Sequence, residues 1–254
     1  MPDITVFVSP KGGSGATFTC AGVWNALLEK SHKVLALDAC FDKCALDYAL
    51  GFQSDYVYTA ADVINGDISL EEAVCTHQNG SFLRWDYEKD TNGAQALMNM
   101  LRAAPYDYVL IDAPADCVGS FFELEHAADR LVFVTEPTLL SVKMCDRVAG
   151  MCGVKNSFVV INKIIPSYTK AGVHLTADEV VDGISCPPIG LVPWSPYGEI
   201  ALKQGFKFPV KDARLKEAFS NIATRISGSY AKAMDFKKVY DCFKLGRSFE
   251  LMSD

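Results

Sequence analysis

Several features are scarce in this sequence of 254 residues. No stretch of about 18 consecutive apolar residues occurs, which excludes a membrane-spanning helix. Dense basic runs are missing. The net charge is −7, and the closest approach to a basic cluster is the pair Lys237 and Lys238. Such a surface repels phosphate backbones, so sequence-independent DNA binding is disfavoured. The four histidines, His32, His77, His126 and His174, are scattered without ligand spacing. No Ser/His/Asp or Cys/His catalytic set can be assembled. The opening Met-Pro-Asp has neither the basic start nor the apolar run of a signal peptide, so a cytoplasmic location is expected. Internal repeats, low-complexity tracts and linkers are also absent.

Hydrophobic residues make up 50% of the chain and charged residues 22%, enough for a sizeable core and against bulk disorder. The nine cysteines are odd in number and scattered through core-like segments, the pattern of free thiols. Cys20, Cys145 and Cys152 fall in expected helices, where a buried thiol is ordinary. Cys40 and Cys44 flank Phe41-Asp42-Lys43, a weak metal signal with no second Cys or His pair beside it.

Strand and helix patterns alternate along the chain. Ile4–Val8 reads as a buried strand, Ala16–Lys30 as a helix with Ala21, Trp24, Ala26, Leu27 and Leu28 on its apolar face, and Lys33–Leu37 as a strand ending at Asp38. Strand, helix and strand in under about 40 residues form a βαβ unit. Further strands are expected at 106–111, 130–134, 157–161 and 189–192, ending at Asp112, in a loop, at Asn162 and at Pro193. Helices are expected over 60–64, 70–74, 94–104, 138–152 and 211–234. The order predicts an α/β fold: a single doubly wound, mostly parallel sheet with helices on both faces. It forms one domain over 1–234, followed by a tail over 235–254. In such sheets ligands sit beyond the carboxyl ends of the strands, where Asp38, Asp112 and Asn162 cluster with a glycine-rich loop.

That loop, Lys11-Gly12-Gly13-Ser14-Gly15-Ala16-Thr17, has the context of a phosphate cradle. Glycines let successive N–H groups turn inward, and the following helix adds its positive end. Thr17 falls in the first helical turn, where a hydroxyl can ligate Mg²⁺. The standard P-loop pattern fails, because Pro10 holds the place of its first glycine and Ala16 that of its lysine.

Pro10-Lys-Gly-Gly-Ser-Gly-Ala-Thr17 resembles the deviant Walker A motif of the MinD/ParA family, whose signature lysine slot is filled by Lys11. The resemblance spans most of the chain and is closest to MinD-like septum-site-determining proteins. Asp38 to Asp47 resembles the first switch, and Asp62 to Ala73 the segment after it. Asp112-Ala-Pro-Ala115 resembles the Walker B motif and second switch. Thr135-Glu-Pro-Thr138 and Asp146-Arg147 match the following loop and helix. Asn162-Lys163 resembles the adenine-reading position, and Gly190-Leu-Val-Pro193 the loop that closes over the base.

The resemblance implies the P-loop NTPase fold and an ATP/ADP and Mg²⁺ site. Gly12 to Thr17, with Lys11, Asn162 and Pro193, would hold the nucleotide. Thr17, Asp38 and Asp112 would hold the metal, and Lys11 and Asp38 would act in catalysis. It implies a homodimer that sandwiches nucleotide, Lys11 reaching the partner's phosphates, and a role as an ATP-binding switch in positioning a cell-division or polar apparatus. Four departures stand against full turnover: Ala16 for the loop lysine, Cys40 for an aspartate that positions the attacking water, Phe18 for a hydroxyl residue, and Asp116 for a glycine of the second switch. ATP hydrolysis is therefore expected to be slow or lost. The alternative is a binding module without turnover, resembling the CpaE/TadZ pilus-localisation type. In the tail, Phe236, Val239, Tyr240 and Phe243 recur at helical spacing among Lys237, Lys238 and Lys244. Two readings stay open: a peripheral association of 236–245 with the inner face of the cell membrane, or a helix packed on the domain or a partner.

Overall fold

The structure, a computed structural model, describes residues 1–40, 45–53, 55–77, 80–85, 91–115, 120–152, 156–198, 200 and 212–231. The tail over 235–254, Asp116 and Cys44 lie outside the described residues. β1 (Asp3–Val8) is almost wholly buried, as its β-branched and aromatic run requires of a central parallel strand. It leads through the glycine-rich loop into α1 (Ala16–Glu29) and then β2 (Val34–Asp38). Three short helices follow, α2 (Leu46–Leu50), α3 (Ala60–Asn65) and α4 (Leu70–Ala73). Thr59 and Ser69 open the last two with reciprocal capping boxes to Asp62 and Glu72.

Next come β3 (Cys75–His77), β4 (Gly80–Arg84), α5 (Thr91–Ala103), β5 (Tyr108–Asp112), α6 (Ser120–Ala127) and β6 (Arg130–Thr135). The chain continues through α7 (Leu139–Ala149), β7 (Ser157–Ile164), α8 (Pro166–Lys170), α9 (Ala177–Ile184) and β8 (Pro188–Pro193). α10 (Ala213–Ile226) closes the described fold. The eight strands form one sheet in the order β3-β4-β2-β5-β1-β6-β7-β8, parallel except for the edge strand β3. Helices cover both faces, so the expected doubly wound P-loop architecture holds.

Two differences from the sequence expectation have identifiable physical causes. The β3–β4 hairpin was not expected, because Gly80 and Ser81 are poor strand formers. Pairing of β4 with β2 in parallel register makes the strand, and a Cβ at Gly80 would meet the Trp24 ring at 2.1 Å. Gly80 is therefore a packing glycine, and the neighbouring tryptophan determines it. The last helix stops at Ile226 rather than Met234. Ser227 caps it, and Gly228 takes the left-handed conformation at φ +75°.

The strand order reverses direction about β1. β2 and β5 lie to one side of it, and β6 and β7 to the other. The loop after β1 thus stands over the switch point, where a crevice opens between diverging connections. The carboxyl ends of β2, β5, β6, β7 and β8 surround it.

Candidate functional site

The loop from Ser9 to Thr17 is shaped by local hydrogen bonds and two left-handed glycines. The Ser9 hydroxyl donates to the Lys11 carbonyl at 2.7 Å, and the Ser14 N–H reaches the same carbonyl at 3.3 Å. Gly13 and Gly15 stand at φ +84° and +99°, a region that side chains disfavour. Gly15 has a second reason to lack a side chain, since a Cβ there would lie 2.2 Å from the Asn162 amide nitrogen. That amide donates to the Ser14 carbonyl at 2.8 Å and so pins β7 to the loop. Gly12 and Gly13 are exposed at the tip. No acidic residue stands in the first turn of α1, and Gly15 provides no side-chain cap, so the positive end of the helix is left for an anion.

Two carboxylates meet on the other side of the loop. Parallel pairing of β2 with β5 places Asp38 opposite Asp112, both about 1% exposed. Asp38 accepts the N–H groups of Cys40 at 3.0 Å and Leu46 at 3.2 Å. Burial nevertheless pushes its carboxyl from 3.8 to about 6. Asp112 accepts the Thr17 hydroxyl at 2.6 Å through Oδ2, while its buried Oδ1 has no hydrogen-bond partner. Burial, reinforced by the negative charge of Asp38, pushes Asp112 well above the usual carboxylate range. Sequence spacing missed the third member of this group. Cys40 sulfur and one oxygen from each aspartate all lie within 4.8 Å of one another. The bare oxygen and two crowded carboxylates form a donor set that fits a divalent cation.

The cations of the site converge on Glu136, which follows β6. Lys11 Nζ donates to Glu136 Oε2 at 2.5 Å. Lys163 Nζ donates to Glu136 Oε1 at 2.9 Å and to the Gly13 carbonyl at 2.6 Å. Burial raises the Glu136 pKa, but hydrogen bonds from Lys11 and Lys163 outweigh it and hold the carboxyl below its usual value. Glu136 and Lys163 were legible in sequence only as members of matched motifs, with no role of their own assigned. The register of β7 against β8 shifts between Ile161 and Ile164, and Lys163 there takes φ +55°. A non-glycine residue in this region bears roughly 1–3 kcal/mol of strain, and such strain gathers at functional sites.

A cavity of about 160 Å³ opens beside the loop, lined by Gly13, Gly15, Phe18, Asn162, Lys163, Pro193, Trp194, Ser195 and Gly198. The two expected base-contacting residues, Asn162 and Pro193, are therefore brought together in its wall. Such a volume suits an aromatic ring system. Its far wall is anchored by Ser195, whose hydroxyl donates to Asp212 at 2.7 Å, the residue that caps α10. Ala16 is buried in the first turn with only a methyl group, so the loop itself carries no ammonium at that position. Asp47, expected in the first switch, accepts from the Tyr48 N–H and the Tyr56 hydroxyl instead of joining the carboxylate pair.

A phosphate loop over the switch point of a parallel sheet, a carboxylate pair on one side and an open cavity on the other define a P-loop nucleotide-binding fold. No family model matches the chain. It is 30% identical over 258 residues to the septum site-determining protein MinD of Helicobacter pylori, covering 93% of this chain and 95% of that protein. Among solved structures, it superposes on the MinD cell division protein of Aquifex aeolicus with a TM-score of 0.81 at 27% identity, covering 91% and 100% of the two chains. The septum site-determining protein MinD of Pyrococcus horikoshii, solved in complex with Mg-ADP, matches with a TM-score of 0.76 at 24% identity over 89% and 96%. The chain belongs to the MinD/ParA family of ATPases.

Proposed function

We propose that the chain is an adenine-nucleotide switch that closes as a homodimer around ATP and hydrolyses it slowly. The observation that carries the reading is the convergence of three parts at one end of the sheet. The loop would hold the phosphates, Asn162 and Pro193 the base, and Thr17, Asp38 and Asp112 the Mg²⁺. Asp112 Oδ1, buried without a partner, supports a cation there. When bound, that ion supplies positive charge against the phosphates. Lys11 is the candidate for contact with the partner's nucleotide, and its present ion pair with Glu136 holds it at the loop surface.

Slow turnover is supported by two substitutions in this chain. Ala16 gives the loop no ammonium. Cys40 presents a sulfur beside the carboxylates where a carboxylate is expected to orient water. Loss of one preorganised electrostatic group typically costs about 10²–10³ in rate. The same two residues favour the second reading, a nucleotide-binding module of the CpaE/TadZ kind that has lost turnover. By kinship with septum-site proteins, the process served is the spatial positioning of a division or polar apparatus. Among the described residues no helix is long and apolar enough to cross a membrane. For 236–245, which lie outside the described residues, the two readings stand side by side: a contact with the inner face of the membrane, or packing on the domain or a partner.

Isothermal titration with ATP and with ADP in magnesium buffer tests the core of it. Heat with both, together with an ATP-dependent dimer in sedimentation and little phosphate release, is the expected result. No heat with either nucleotide refutes the reading. A nucleotide-bound monomer removes the dimer, and rapid phosphate release removes the impairment.

A further inference from the structure

The geometry points to Lys163 as the phosphate-binding ammonium that position 16 lacks, with Glu136 as the carboxylate that a polyphosphate must displace from it. The inference rests on the nucleotide-binding reading above and assigns a residue to the polyphosphate of the ligand. Lys163 enters from β7, yet its Nζ lies 2.6 Å from the Gly13 carbonyl inside the loop. It lines the same cavity as Gly13, Gly15 and Asn162. The shifted register after Ile161 and the left-handed backbone at φ +55° redirect the side chain from its regular strand position. A merely solvated lysine needs neither device.

The hydrogen-bond inventory fits this role. An ammonium has three N–H groups. Among the described residues, two are taken by the Gly13 carbonyl and Glu136 Oε1, which leaves one for a phosphate oxygen. Glu136 divides its oxygens between two cations, Lys163 on Oε1 and Lys11 on Oε2. An incoming polyphosphate competes with this carboxylate for both ammonium groups. Glu136 therefore competes with a polyphosphate for the lysines and opposes binding of the most highly charged ligand.

The bland alternative is that Lys163 only ties the loop to β7. A loosened loop would also weaken ATP more than adenosine, so the ATP titrations are run at low and high salt: the loss of a phosphate-binding charge shrinks as ionic strength rises, whereas the loss of a structural tie does not. Lys163→Gly is the sharp variant, because glycine accepts φ +55° without strain and the fold is kept. Titration of the full chain with adenosine, ADP and ATP reads the outcome, with a melting curve for each variant.

For Lys163→Gly, ATP and ADP affinity should fall about 10- to 150-fold, the loss expected for one hydrogen bond to a charged group. Adenosine affinity should stay unchanged. Lys163→Arg should keep most of the ATP affinity, and Glu136→Gln should tighten ATP severalfold. An unchanged ratio of ATP to adenosine affinity in Lys163→Gly, or an ATP loss that does not shrink at high salt, overturns the role of Lys163 while leaving the nucleotide site intact. Weaker ATP binding in Glu136→Gln overturns the role of Glu136. A wild-type chain that binds no adenine nucleotide overturns this inference together with the function on which it rests.

Discussion

Asp112→Asn tests whether the carboxylate pair is an electrostatic burden that the fold bears to receive a cation. Asp112 and Asp38 face each other across adjacent parallel strands, both nearly inaccessible to water. Burial lifts Asp38 from 3.8 to about 6 and pushes Asp112 well above the usual carboxylate range. An acid raised in the folded state binds its proton more tightly there than in the unfolded chain. Stability is therefore fullest below the unfolded pKa and falls as pH rises toward the folded one. For Asp38 that window runs from 3.8 to about 6, and the rise corresponds to about 3 kcal/mol. Asparagine keeps the shape, still accepts the Thr17 hydroxyl and removes one of the two charges. The variant should gain about 1–3 kcal/mol at pH 7.5 in chelator, a gain that fades as pH drops toward 4. At about 2–4 °C per kcal/mol for a chain of this size, melting should rise by about 2–12 °C. Urea unfolding at pH 4, 6 and 7.5 measures it, and added Mg²⁺ should stabilise only the wild type. A variant less stable than wild type at pH 7.5, or a difference that is flat with pH, would refute the reasoning.

Other outcomes follow from the same geometry. Gly15→Ala should lose adenine nucleotide binding in titration and about 1–3 kcal/mol in urea unfolding, because a methyl group at φ +99° strikes Asn162. Lys11→Ala should fold normally but show no ATP-dependent dimer in sedimentation; an intact dimer would remove Lys11 from the interface. The double variant Ala16→Lys with Cys40→Asp should raise phosphate release by about 10- to 1000-fold, and no rise would mean that turnover is limited elsewhere. Gly190→Ala should cost about 1–3 kcal/mol in thermal melts, since its Cβ would lie 2.2 Å from Ile222 of α10.

Much of the fold was legible because local and global signals agree. Ile4 to Val8 is apolar throughout, the glycines that follow mark a turn, and Asp38 and Asp112 each end a hydrophobic run. Parallel strands announce themselves in this way because both faces are buried. The β3–β4 hairpin left no such trace. Its short strands acquire their state from β2 and from the ring of Trp24, contacts that lie far away in sequence. The site divided along the same line. Loop residues were readable from their spacing, as was Asn162, although β7 runs on to Ile164 rather than ending there. The grouping of Lys11, Lys163 and Glu136 was not, because it joins residues 125 and 27 positions apart. Cys40 was readable as a substitution, but its approach to both carboxylates depends on the parallel register of β2 and β5.

Phe18 gives the cavity a mechanical partner. Its ring lines the cavity wall and meets Phe219 of α10 edge to face, with centroids 5.3 Å apart. Gly22 and Gly198 leave room for the two rings, and a methyl group at either would lie within 3 Å of one of them. Close-packed rings transmit displacement rather than absorb it. Any occupant that shifts Phe18 therefore pushes on α10, and the ligand chamber and the last described helix are geared together.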